Sequence, residues 1–186
     1  MAEVAPPVRL VVDADVSQAA GRAKPESRGA QCARMLEEIR KHRQFRLVFN
    51  TRLGDEWERN QSSFSSQWLA SMLKFRRVEY VRLDTAELDA EIRTGAASVT
   101  VLDVLLKDAH LIGLALASDR RVLSMDAHAR DHFARLSAHI EHIRAVMWLT
   151  PDQEFEGCMV WLEGGAPEVP GWSLHVRGQE LEVRRN

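Results

Sequence analysis

Apolar residues along this chain follow two rhythms. Short runs of strand length, Val8–Val12, Phe45–Phe49 and residues 78–83, 121–125 and 143–149, are broken by few polar positions, as expected of strands buried on both faces. Between them lie stretches with helical spacing: Cys32, Met35, Leu36 and Ile39; Trp68, Leu69, Met72 and Leu73, with Ser65 as a cap; and Phe133 with Leu136 in a helix near residues 129–138. Asp84, followed three residues later by Glu87, resembles a capping arrangement for a helix through about Ile92. The order is strand, helix, strand, helix throughout, which predicts an α/β fold, a three-layer α/β/α sandwich with a mostly parallel central sheet.

The most informative stretch is residues 101–126. On a 3.6-residue period Val101, Val104, Leu105, Asp108, Leu111, Ile112 and Ala115 share one face, so a carboxylate stands in the middle of a stripe that should face the core. An ionised carboxylate is kept in such a place only with hydrogen bonds, a counter-charge or a metal. No basic residue is expected on that face. Asp103 falls on the opposite side, four residues before Lys107, as a solvated ion pair.

Strand ends add further acids. Val8–Val12 stops at Asp13-Ala14-Asp15, and residues 121–125 stop at Asp126, two positions after Ser124. The carboxyl ends of parallel strands are where ligand chemistry usually lies. Asp55 and Glu56 open a short helix expected over residues 53–59, where the helix dipole alone would account for both. Residues 21–30, with two Gly, a Pro and three basic side chains, read as an exposed, mobile loop.

The tail from Pro151 changes composition, being rich in Gly and Pro. Trp172, Leu174 and Val176 alternate, as do Leu181 and Val183, which predicts a hairpin turning near residues 177–180. The chain therefore divides into a main domain, residues 1–151, and a C-terminal β-hairpin-like extension, residues 152–186, packed on or beside it.

Composition narrows the function classes. With 45% hydrophobic and 28% charged residues, the chain is an ordinary globular protein that can bury a core. A net charge of −2 argues against a generally basic nucleic-acid coat. The clusters Lys74, Arg76 and Arg77, and Arg120 and Arg121, are expected on solvated surface. Cys32 and Cys158 match no metal or redox spacing, and the first ten residues show neither a signal-peptide pattern nor a spanning run. The expectation is a reduced, cytoplasmic protein without a membrane partner.

Taken together, Asp13, Glu56, Asp108 and Asp126 resemble the acidic set of the PIN-domain family of metal-dependent ribonucleases. The resemblance is carried by VVDADV at residues 11–16, DAHLIGLALA at 108–117 and VLSMD at 122–126, together with the spacing from Asp108 to Asp126. It covers residues 8–151. Asp15 departs from the pattern, since many members carry Asn there. Asp55 adjoins Glu56, and the Glu-Trp context favours Glu56 as the second acid. The resemblance implies hydrolysis of RNA phosphodiester bonds with Mg²⁺ or Mn²⁺ held by Asp13, Glu56, Asp108 and Asp126, and with Ser124 donating a hydrogen bond nearby. It also implies an RNA substrate, and leaves open an antitoxin or operon partner, a homo-oligomer, and the role as toxin, defence component or processing enzyme.

Two other readings compete. Asp13-Ala14-Asp15-Val16 also resembles the opening motif of haloacid-dehalogenase-type phosphatases, with Asp13 as nucleophile and Asp15 as acid/base. Ser17 stands where that family usually has Thr or Val, and its late Asp pair after a Gly is missing. The third is a PIN-like binding module without turnover.

Overall fold

In the computed structural model, which describes residues 6–21, 24 and 26–184, strand β1 (Val8–Val12) forms the centre of the sheet. It is flanked by β2 (Phe45–Phe49) and β4 (Arg121–Leu123), with β3 (Val78–Tyr80) beyond β2 and β5 (Met147–Leu149) beyond β4. All four pairings are parallel; Val8 is opposite Phe45 in one and Val12 is opposite Leu123 in the other. Leu10, Val11 and Val12 are wholly buried, which explains why β1 shows no polar alternation after Arg9.

The helices are α1 (Ala14–Ala19), α2 (Arg28–Lys41), α3 (Thr51–Asn60), α4 (Ser63–Lys74), α5 (Ala86–Gly95), α6 (Val99–Leu116), α7 (Ala127–Leu136), α8 (Phe155–Glu163) and α9 (Leu174–Val183). They flank the sheet on both sides, giving the expected three-layer α/β/α sandwich. Helix α6 lies across β1 and β4, between α5 and α7. Because the strand order reverses between β1 and β4, the crevice outside their carboxyl ends is the place where such sheets take ligands.

Several local expectations need correction. Helix α3 begins at Thr51, with the Asn50 side chain accepting from the Leu53 amide at 2.8 Å. Asp55 and Glu56 therefore sit in its second turn, beyond the dipole's reach. Ser62, not Ser65, caps α4, and Ser65 is buried, donating to the Ser17 carbonyl. Leu73 points outward, being 48% exposed. Residues 28–30 belong to the first turn of α2, capped by Ser27; Arg22, Ala23 and Pro25 of the expected loop lie outside the described residues. Strand β3 ends at Tyr80, and Glu141–Ile143 is a turn of 3₁₀ helix before β5.

The tail holds two helices instead of a hairpin. Leu174, Gly178 and Leu181 are its buried positions, a helical spacing, while Val183, which suggested the alternation, is 75% exposed. Gly178 lets α9 approach α7 closely, since a Cβ there would stand 2.4 Å from the Ala134 carbonyl oxygen. Helix α8 packs on α2, and an antiparallel bridge from Ser173 to Met147 covers the outer edge of β5. Among the described residues no helix is long and apolar enough to cross a membrane. Both cysteines are free and buried, and burial pushes each thiol up to about 12.

Candidate metal centre

The carboxyl ends of β1 and β4 lie side by side, and they bring their acids together. Asp13 stands between β1 and α1, where its amide donates to the Leu123 carbonyl at 2.9 Å and so ties the end of one strand to the end of the other. Ser124 Oγ donates to Asp13 Oδ2 at 2.8 Å and lies 3.2 Å from Asp15 Oδ2. The same oxygen accepts the Asp126 amide at 3.1 Å. Asp126 caps α7, its Oδ1 accepting from the Ala129 amide at 2.8 Å.

One hydroxyl proton cannot serve two carboxylates. Desolvation, followed by repulsion from Asp13, pushes the Asp15 pKa up to about 8, against hydrogen bonds from the Met125 amide, 2.9 Å from Oδ2, and Ser124. A proton on Asp15 would relieve the competition. Asp13 is itself raised, by desolvation first and with repulsion from Glu56 adding to it.

Asp108 joins the group from α6. The carboxylate is only 5% exposed, and Oδ2 is buried without a hydrogen-bond partner. Burial, with Asp13, Asp126 and Glu56 adding repulsion, moves its pKa up to about 6, while Lys107 opposes the rise. Here the sequence expectation fails in one respect. Lys107 does not pair with the exposed Asp103; its Nζ lies 3.7 Å from Asp108 Oδ1. A long flexible stem allows Lys107 to bend toward the negative potential of three acids, Asp108, Asp126 and Asp13, which raise its pKa.

Glu56 completes the set. Trp57 Nε1 donates to the Val12 carbonyl at 2.9 Å, fixing α3 against the end of β1, so Glu56 faces α6 while Asp55 remains exposed. Arg52 Nε donates to Glu56 Oε1 at 3.1 Å. His110 Nε2 stands 3.2 Å from Oε2 but out of line for a hydrogen bond, and burial holds its pKa below the usual histidine range. The Lys107 carbonyl receives Arg52 and lies 3.1 Å from His110 Nδ1, so both clamps are anchored on α6. Sequence reasoning missed Arg52, Lys107 and His110. The last left a signal, as the one polar side chain between Asp108 and Ser118.

The donor set suits a hard divalent cation. Carboxylate oxygens are its preferred ligands, and the unpartnered, buried Oδ2 of Asp108 gains most from a cation nearby. No cage is already closed: among the described residues no three His, Cys, Asp or Glu side chains converge on one ion position. Mutual repulsion keeps carboxylates apart, and an ion that retains several of its waters needs only a few of them. Asp13, Glu56, Asp108 and Asp126 are the residues able to hold it. In comparisons with known proteins the chain matches no family model, no curated protein and no solved structure, so any functional reading of this centre rests on its geometry and chemistry.

Proposed function

We propose that this chain is a PIN-like, metal-dependent ribonuclease acting in a reducing cytoplasm. The observation that supports it is the meeting of Asp13, Glu56, Asp108 and Asp126 at the point where the strand order reverses, with Asp108 buried and its Oδ2 unpartnered. Repulsion at such a site is a standing cost that binding a cation removes.

Mg²⁺ or Mn²⁺ bound here would lower the pKa of an attacking water and steady the leaving oxygen. The protein's own part is positioning. Asp13, held by Ser124 and by its amide bond to β4, would be a ligand to the cation. Asp108 and Asp126 close the set from α6 and the end of β4, and Arg52 holds Glu56 in place with His110 beside it. Lys107 offers an exposed ammonium next to Asp108, within reach of a phosphate oxygen. An antitoxin or operon partner belongs to the same reading.

Purified protein with Mn²⁺ should cut single-stranded RNA internally, leave p-nitrophenyl phosphate almost untouched and lose cleavage in Asp13→Ala. One observation favours a second reading, the phosphatase: an Asp15 that stays protonated to about pH 8 would suit an acid/base two residues after a nucleophile. That reading leaves Asp108 without a role, and it requires the opposite outcome on the two substrates. Inertness toward both, with tight retention of RNA or a partner protein, would leave a binding module without turnover.

A further inference from the structure

At the opposite end of β2 from the acids, a concavity of about 530 Å³ is bordered by Arg40, Lys41, Arg43, Arg46, Phe75 and Arg77. Sequence reasoning placed Arg77 on solvated surface. Instead it is buried, and its guanidinium donates to the carbonyls of Phe45, Arg40, Ile39 and His42 at 2.6–2.9 Å. These bonds finish the C-terminus of α2, whose dipole offsets part of the charge. Among the described residues no carboxylate pairs with Arg77 to offset the rest.

Arg40 is paired with Glu37, and Lys41 with the buried Glu38. Among the described residues Arg43 and Arg46 join no ion pair; Arg46 Nη1 donates only to the Arg43 and Phe45 carbonyls. Arg43, Arg46 and the buried Arg77, joined in no ion pair among the described residues, make the groove positive although the chain as a whole carries −2; burial and repulsion from Arg46, Arg40 and Arg43 lower the Arg77 pKa. On its rim Phe75 is 64% exposed, with Lys74 Nζ 5.9 Å from the ring centre. Guanidinium groups for phosphates and an exposed aromatic ring for a base are the two requirements of a single-strand platform.

We propose that this groove is a second nucleic-acid contact, in which Arg43 and Arg46 bind phosphates of single-stranded RNA and Phe75 stacks a base, away from the acidic centre. That the strand is RNA rests on the nuclease reading; that the groove binds a single strand does not. An acidic peptide would meet the same charge, but it gains nothing from stacking on Phe75.

The test is binding of a labelled single-stranded RNA of about 16 nucleotides, followed by fluorescence anisotropy in EDTA across a salt series, so that no cleavage is needed. Arg43→Gln with Arg46→Gln should weaken binding at least tenfold at low salt and reduce the slope of log K against log salt by about 1.4. Phe75→Ala should weaken binding about tenfold. Arg43→Gln alone, at an exposed position, reads the same groove should the double variant fold poorly. Asp103→Asn, at an exposed acid outside both sites, should bind as wild type does, and any change in Asp13→Ala should be smaller than that in the arginine variants, which separates this contact from the acidic centre. Binding that follows Asp13 and ignores Arg43 and Phe75 would overturn the proposal. So would competition by polyglutamate as strong as by unlabelled RNA, pointing to a protein partner, or by inorganic phosphate at equal concentration, pointing to a small-anion site.

Discussion

Strands β1 and β4 carry an acid at each end of their pairing, and the two ends treat it in opposite ways. Where β1 begins, Asp119 accepts the Arg9 amide at 2.7 Å and its guanidinium at 2.8 Å, and these bonds hold its carboxyl below the usual range against the opposing effect of burial. Where the same strands end, Asp13 faces Asp15 across Ser124, Asp108 feels the repulsion of Asp13 with one lysine beside it, and all three acids are raised. The ladder between them is the same. The difference shows that burial alone does not decide an acid's state; the partner does. One end is built for stability, and the other stores repulsion that a cation would relieve.

The strongest way to break this contrast is at Asp108. Asp108→Asn should lower Mn²⁺-dependent RNA cleavage by orders of magnitude while leaving metal-free stability equal to wild type or higher, since removing a raised acid relieves repulsion. Retained cleavage with a much lower melting temperature would make Asp108 a structural acid. Titration gives the next largest effect. A rise from 3.8 to about 6 for Asp108 corresponds to roughly 3 kcal/mol. Because the folded chain holds these protons more tightly than the unfolded one, the contribution of these two groups to metal-free stability is greatest below the unfolded value and is lost as pH climbs through about 6 for Asp108 and about 8 for Asp15. Melting in EDTA should therefore occur at a lower temperature at pH 8 than at pH 5, and Asp15→Asn should flatten the trend. A wild type that melts higher at pH 8 would contradict the assignment.

Metal binding should act in the same currency. An ion at about 100 times its Kd adds ~2.7 kcal/mol to the folded state, several degrees in a melting scan, and Asp13→Ala should erase the gain. Identical curves with and without millimolar Mn²⁺ would remove the metal from the account. At the paired end the effect is smaller and opposite in kind. Asp119→Ala should cost about 1–2 kcal/mol, discounted because Arg9 is partly exposed, and should leave cleavage unchanged. Asp103→Asn should change neither property, being exposed and unpaired with Lys107; a loss of activity there would mean that the acidic centre extends beyond the four carboxylates.

Much of the architecture was legible along the chain. Runs such as Val8–Val12 and Phe45–Phe49 can be read because a parallel strand buried on both faces has almost no polar positions. Asp108 stood out because a carboxylate in an apolar helical stripe contradicts the stripe. Elsewhere the same cues misled. In the tail, Val183 alternated with Leu181 by accident of spacing; the buried positions are Leu174, Gly178 and Leu181, and a glycine in that stripe carries no hydrophobic signal although its close fit on α7 requires it.

What the sequence determined by itself was the layered α/β order and the placing of acids at strand ends, because periodicity and burial are properties of neighbours along the chain. The partners of those acids were decided only by the tertiary structure. Ser124 stands between Asp13 and Asp15 across more than a hundred residues, Arg52 bonds to Glu56 with His110 of α6 close by, and Lys107 turns away from Asp103 toward Asp108. Whether a carboxyl is ionised or neutral depends on what faces it within a few ångströms, and that distance exists only once β1, β4, α3 and α6 have packed.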